Sequence, residues 1–189
     1  MKNKILFIDR DGTIIKDPPP FHRPGQFTGV DFYPFVFEYL GRIARELDYL
    51  FVMITNQDGL GSDIFPNEAF WPPHHFIMKT FEDQGICFDD VFIDTTFPHE
   101  NKSTRKPGTG LLKKYLNDPK YDIENSFVIG DRITDVLLAQ NIGCKAIFIN
   151  NNTYLGAHEV SETIEDLQPV IELDTTSWKD IYEFLKSKS

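Results

Sequence analysis

The stretch Lys4-Ile5-Leu6-Phe7-Ile8-Asp9-Arg10-Asp11-Gly12-Thr13 decides how this chain reads, because a short apolar run ends abruptly on a pair of carboxylates. Ile5 to Ile8 contain no polar position, as expected of a strand buried on both faces of a parallel sheet. A carboxylate at the end of such a strand is costly to bury unless a cation accompanies it. Asp-Gly-Thr alone is also ordinary turn chemistry, and the tripeptide leaves that alternative open. The pairing of Asp9 with Asp11 tips the balance. Two carboxylates at this spacing suit a divalent metal plus a separately placed proton-handling group.

Outward from this stretch, apolar β-branched runs alternate with helical patterns. Strands are predicted at Lys4 to Ile8, Leu50 to Ile54, Val91 to Asp94, Ser126 to Ile129, Lys145 to Ile149 and Val170 to Leu173. Helices are predicted at Phe35 to Leu47, Pro73 to Gln84, Gly108 to Leu116 and Thr134 to Asn141. The alternation predicts an α/β fold with a central, mostly parallel sheet. Near the C-terminus, Ser177 and Asp180 resemble a capping pair, and Trp178, Ile181, Tyr182 and Leu185 recur at helical spacing, which reads as core packing. Two irregular stretches, Asp17 to Asp31 and Phe97 to Gly110, read as loop insertions near 17–31 and 95–107 of a single domain, 1–189.

Four polar clusters fall after predicted strands: Asp9 to Thr13, Thr55-Asn56-Gln57-Asp58, Arg105-Lys106-Pro107 (after an irregular loop) and Gly130-Asp131-Arg132-Ile133-Thr134-Asp135. In an open parallel sheet the carboxyl ends of the strands are where ligands bind. Asp131 reads as a metal ligand or as a helix N-cap, and Asp135 as a support for the site or an orienter of its neighbours. An oxygen-rich set without convergent Cys or His favours Mg²⁺. The Thr55 hydroxyl and the Asn56 backbone N–H suit phosphoryl oxygens, and Lys106 suits the charge that develops in phosphoryl transfer. Arg105 is a further phosphate-binding candidate. A lone lysine is more often a solvated surface residue, so Lys106 draws its meaning from the other clusters.

The net charge of -10 argues against nucleic-acid or anionic-membrane binding, both of which need a broad basic face. The apolar run near the N-terminus is too short for a signal-peptide core or a membrane span, so a cytoplasmic location is expected. Hydrophobic content of 41%, with 17 Phe and 7 Tyr, is enough for a folded core. Cys87 and Cys144 show no paired metal spacing and read as reduced, mostly buried small residues. Oligomeric state is left open.

Phe7-Ile8-Asp9-Arg10-Asp11-Gly12-Thr13 resembles the first motif of the haloacid-dehalogenase-like phosphatases, and the other clusters follow in that family's order. The resemblance implies a three-layer sandwich around a Rossmann-like sheet with minimal or no cap domain. It implies Asp9 as nucleophile, Asp11 as general acid/base with its carbonyl in the metal shell, Thr55 as phosphoryl ligand, Lys106 as charge stabiliser and Asp9, Asp11 and Asp131 as Mg²⁺ site. Asp-Arg-Asp-Gly-Thr with Thr55 to Gly61 is similar to the histidinol-phosphate phosphatase branch; Asp58 and Asp17-Pro18-Pro19 lean the same way. The expected substrate is therefore a small phosphomonoester, L-histidinol phosphate, with a sugar phosphatase such as one acting on heptose 1,7-bisphosphate as the alternative. A non-catalytic phospho-ligand binding module is the alternative from another class. Known members of both enzyme branches carry a three-Cys, one-His zinc loop where this chain has Asp94 to Thr104, with His99 and no Cys. No structural zinc is expected, and the loop must be ordered by packing and hydrogen bonds. Asp17 is the candidate for the cationic leaving group, or a pre-proline loop residue facing water.

Overall fold

The structure, a computed structural model, describes residues 2–16, 29–150 and 156–189. A six-stranded sheet forms from β1 (Lys4–Ile8), β2 (Tyr49–Asn56), β3 (Asp90–Asp94), β4 (Phe127–Gly130), β5 (Lys145–Ile149) and β6 (Ile171–Thr175) in the spatial order β3-β2-β1-β4-β5-β6. Each neighbouring pair is parallel. β1 pairs with both β2 and β4, so the strand order reverses beside it, and in open α/β sheets the carboxyl ends at such a switch point are where ligands bind in a crevice.

Alternation along each strand sends side chains into two separate cores. Leu6, Ile8, Phe51, Met53, Ile129 and Ile147 face one side, packed with residues of α1 (Val36–Glu46), α2 (Asn67–Asp83) and α6 (Trp178–Ser187). Ile5, Phe7, Val52, Ile54, Val128 and Phe148 face the other, packed with α3 (Lys113–Leu116), α4 (Ile133–Ile142) and α5 (Ile164–Leu167). The result is the expected three-layer sandwich, and among the described residues no separate cap domain interrupts it. No helix of the described residues is long and apolar enough to cross a membrane.

All six expected strands form, with ends moved by one or two residues. Two helices differ from expectation. α2 starts at Asn67 rather than Pro73, so Pro72 and Pro73 lie inside it. The missing proline N–H groups weaken that turn, but burial of Phe70 and His74 on either side of the prolines holds it to the domain. The expected helix from Gly108 to Leu116 is instead a 3-10 turn at Gly110–Leu112 followed by α3. The amides of Gly108 and Gly110 donate back to the carbonyls of Arg105 and Ser103, closing a loop that a helix would have to break. α5 was not expected; Thr163 caps it through the Asp166 amide. Of the cysteines, Cys144 is buried, and burial pushes its thiol up to about 12, whereas Cys87 is exposed, contrary to the expectation for it.

The stem of the first insertion is described: Ile15 and Phe32 form an antiparallel bridge, and the Lys16 amide donates to the Asp31 carbonyl at 2.8 Å. The second insertion is ordered by local polar contacts and one aromatic stack. Asp94 Oδ1 accepts from the Thr96 amide at 2.9 Å, Glu100 accepts from the Phe97 amide at 2.9 Å, and the Phe97 and His99 rings stack 5.5 Å apart. Gly59 lies flat against Phe97, with no room for a Cβ.

Candidate active site

Asp9 follows directly on β1, and its amide donates to the Ile129 carbonyl of β4 at 2.9 Å. That bond carries Asp9 one step beyond the strand pair, to the switch point. Asp131 follows β4, and Asp135 lies in the first turn of α4. One carboxylate oxygen from each of Asp9, Asp131 and Asp135 lies within 4.8 Å of the other two, and all three residues are buried. Lys106, 97 positions away from Asp9 in the chain, reaches into this group and is itself only 2% exposed. Its Nζ lies 2.6 Å from Asp9 Oδ1 and 2.7 Å from Asp135 Oδ1.

Two glycines make the cluster possible. Gly12 has φ +76, and a Cβ there would lie 2.0 Å from Asp131 Oδ2. A Cβ on Gly130 would lie 2.3 Å from the Asp135 carboxyl carbon. Each carboxylate thus occupies space that any other residue would fill. Asp135 also serves the backbone, since its Oδ2 accepts from the Arg132 amide at 3.1 Å and closes the N-terminus of α4. The helix N-cap position belongs to Arg132, so Asp131 is not the cap.

Three buried carboxylates face one ammonium, an excess of two negative charges when all are ionised. Burial raises Asp9 to about 7 despite the opposing pull of Lys106. Burial works against the Lys106 charge, but Asp135 and Asp9 outweigh it and its pKa moves up. A divalent cation would neutralise this excess, and an all-oxygen donor set with buried carboxylates fits Mg²⁺. Asp9 and Asp131, with the backbone carbonyl of Asp11, are the groups that would hold it; Asp135 has its second oxygen on the Arg132 amide at the helix terminus.

Asp11 sits in a second polar knot. Arg10 Nε donates to Asp11 Oδ1 at 2.9 Å and Arg10 Nη2 to Asp11 Oδ2 at 3.0 Å. Gln57 Nε2 donates to Asp11 Oδ2 and to Thr55 Oγ1, each at 2.8 Å, and Arg10 Nη2 donates to Gln57 Oε1 at 3.1 Å. Thr55 is buried at the end of β2, where its own O–H remains available to a phosphoryl oxygen.

The side chains of Asn56 and Arg105 both make contacts with distant parts of the chain, and those of Asn56 leave aside the backbone N–H expected to meet phosphoryl oxygens. The Asn56 side chain accepts from the Lys106 amide at 3.0 Å and donates to the Lys106 carbonyl at 3.1 Å, clamping the backbone of that lysine. The Arg105 guanidinium is directed to Asp58, to the Thr96 carbonyl at 3.0 Å and to Glu159 at 2.6 Å. Its hydrogen-bonding edge is therefore committed to two carboxylates and a carbonyl, which tie three loops together. Asp17 lies outside the described residues. Arg10, Gln57 and Glu159 carry contacts that the sequence did not single out. Gln57 stood within a flagged cluster and Arg10 between the paired aspartates, but no local signal marked Glu159, whose partner is 54 positions away.

Comparison with known proteins agrees with this fold. A family model described as HAD-hydrolase-like matches residues 103–171. The chain is 50% identical over 185 residues to the Histidine biosynthesis bifunctional protein HisB of Bacteroides fragilis, covering 98% of this chain and 48% of that protein. It is 46% identical over 186 residues to the protein of the same name from Spirosoma linguale, covering 97% of this chain and 48% of that one. The chain thus spans about half the length of these curated relatives. In fold it resembles the D,D-heptose 1,7-bisphosphate phosphatase of B. bronchiseptica, crystallised with magnesium and phosphate, at TM-score 0.77 and 20% identity over 98% of this chain and 99% of that one. A HAD-like phosphatase structure from Mesorhizobium loti gives TM-score 0.73 at 19% identity, covering 98% and 87%. The chain is thus similar in sequence to these HisB proteins along nearly its whole length, to a HAD-hydrolase-like family model over residues 103–171, and in fold to HAD-like phosphatases.

Proposed function

We propose that this chain is a magnesium-dependent phosphomonoester hydrolase working through a covalent aspartyl-phosphate. The observation that carries the reading is the convergence of Asp9, Asp131, Asp135 and Lys106 within one buried cluster at the switch point. Asp9 attacks phosphorus and the bond to the leaving oxygen breaks, while Asp11 delivers its proton to that oxygen. A water then attacks the same phosphorus, gives its proton to Asp11, and the Asp9–phosphorus bond breaks to release inorganic phosphate. Lys106 favours the ionised form of the attacking carboxylate against the effect of burial and balances the phosphoryl charge, and Thr55 Oγ1 donates to a phosphoryl oxygen. Bound Mg²⁺ supplies electrostatic stabilisation of the phosphoryl oxygens.

For the substrate we read L-histidinol phosphate, supported by relatives that carry histidine biosynthesis in their names at up to 50% identity. A sugar phosphatase is the second reading, supported by the fold shared with a heptose bisphosphate phosphatase. We take residues 1–189 as one catalytic unit with a cytoplasmic setting and a small-molecule substrate. Asp9→Asn, which keeps the shape and removes the nucleophile, is expected to abolish turnover while leaving the circular dichroism spectrum of the folded parent in place. A chelator is expected to silence the parent protein. Turnover surviving in the variant would exclude the covalent mechanism. A substrate panel decides the specificity: histidinol phosphate turned over no faster than sugar phosphates overturns the first reading.

A further inference from the structure

We propose that Arg10, Gln57 and Phe70 form a positioning device that holds the Asp11 carboxylate in the pose from which it protonates the leaving oxygen. The inference rests on the acid/base role given to Asp11 above.

An aspartate at the rim of a cleft would ordinarily sample several rotamers in water. Here the two oxygens of Asp11 accept three hydrogen bonds, from Arg10 Nε, Arg10 Nη2 and Gln57 Nε2. The Arg10–Gln57 bond closes these into a ring. The second N–H of the Gln57 amide goes to Thr55 Oγ1. One side chain therefore couples the acid/base residue to the hydroxyl assigned to the phosphoryl group, so both are held in a common frame.

Arg10 is an unusual choice for a loop residue beside a cleft, since its guanidinium could snorkel to water. Instead it is 4% exposed. Its guanidinium carbon lies 4.7 Å from the centre of the Phe70 ring. That ring in turn stacks on His74 at 5.0 Å and 15°. A flat cation held on an aromatic face loses the freedom to swing, and the fork then points one way. Burial, with help from Arg10, pushes His74 down to about 4, so the imidazole stays neutral and adds no competing positive charge beneath the guanidinium. This stack also gives a reason for the early start of α2: the turn before Pro72 is the one that delivers Phe70.

Positioning of a general acid matters in proportion to the leaving oxygen's need for a proton. An alkoxide needs one, whereas p-nitrophenolate departs without it. The quantity to compare is kcat/KM, which reports steps through the first irreversible phosphoryl transfer and is blind to later hydrolysis of the aspartyl-phosphate. Phe70→Leu would be assayed with p-nitrophenyl phosphate and with the alkyl phosphate that the parent turns over best. For the alkyl ester kcat/KM is expected to fall at least about thirtyfold, a large part of the roughly 100- to 10,000-fold that general acid catalysis supplies, and for the aryl ester to fall no more than about threefold. Arg10→Lys, which keeps the charge and loses the fork, is expected to show the same split. Circular dichroism and the thermal midpoint identify any variant that fails to fold, and the remaining variants carry the comparison. Equal losses on both esters, or full alkyl turnover in Arg10→Lys, would overturn the proposal. Failure of the covalent mechanism shows differently, as turnover retained by Asp9→Asn on either ester.

Discussion

Gly12 shows how tightly single residues are constrained at this sheet edge. Its left-handed backbone and the 2.0 Å approach of Asp131 Oδ2 to a built Cβ leave room for glycine alone. Gly12→Ala therefore strains φ and displaces the Asp131 carboxylate together. A loss of roughly 10- to 100-fold in activity is expected, of the size seen when a metal ligand's support is disturbed. The accompanying stability cost is about 1–3 kcal/mol. Turnover across a Mg²⁺ titration and a thermal melt check both halves, and unchanged apparent Mg²⁺ affinity would count against Asp131 as a ligand. At this scale Asp9, Asp11 and Asp131 were legible because charged residues directly after apolar strands are anomalies in local sequence. Arg10 was not, because nothing in the run Asp9 to Thr13 says whether its guanidinium turns outward or onto Phe70. The same limit applies to Asn56 and Arg105, whose side chains are claimed by partners about 50 positions away.

Among the elements, α6 joins local capping to the site. The Ser177 hydroxyl accepts from the Asp180 amide at 3.3 Å. One residue on, Trp178 Nε1 donates to the Thr13 carbonyl at 3.0 Å, so the C-terminal helix buttresses the loop that carries Asp9 and Asp11. Ser177→Ala removes the capping acceptor while keeping the tryptophan, and is expected to cost about 1 kcal/mol in chemical denaturation with kcat unchanged. A loss of kcat there would mean that the cap also sets the loop. This helix was readable from its spacing and cap residues, since both are local. The start of α2 was not, because proline is a strong local stop signal. What overrode it was burial of Phe70 and His74 against residues from other parts of the chain.

For the whole molecule, the buried excess of negative charge predicts a metal-linked pH dependence. An unfolded Asp9 titrates near 3.8, and burial raises the folded value to about 7. Below about pH 4 both states hold the proton. As pH rises from about 4 to about 7 the unfolded chain releases it first, so the folded state binds more protons and the metal-free protein loses stability over that window. Mg²⁺ binds the ionised cluster and offsets this loss. The rise in thermal midpoint on adding Mg²⁺ is therefore expected to be larger at pH 8 than at pH 5, with Asp9→Asn flattening the difference. An equal rise at both pH values would exclude Asp9 from the metal site.

The order of the strands and of every helix except α5, the parallel character of the sheet and the strand ends that carry polar clusters followed from the chain alone. Hydrophobic periodicity and strand-end charges are properties of neighbouring residues, so they are written locally. Which of those polar residues meet was settled by packing. Sheet order placed β4 beside β1, two glycines left room for carboxylates, and a long loop returned Lys106 to within 2.6 Å of Asp9. Contacts between residues about a hundred positions apart depend on the whole path of the backbone, and no local pattern records that path.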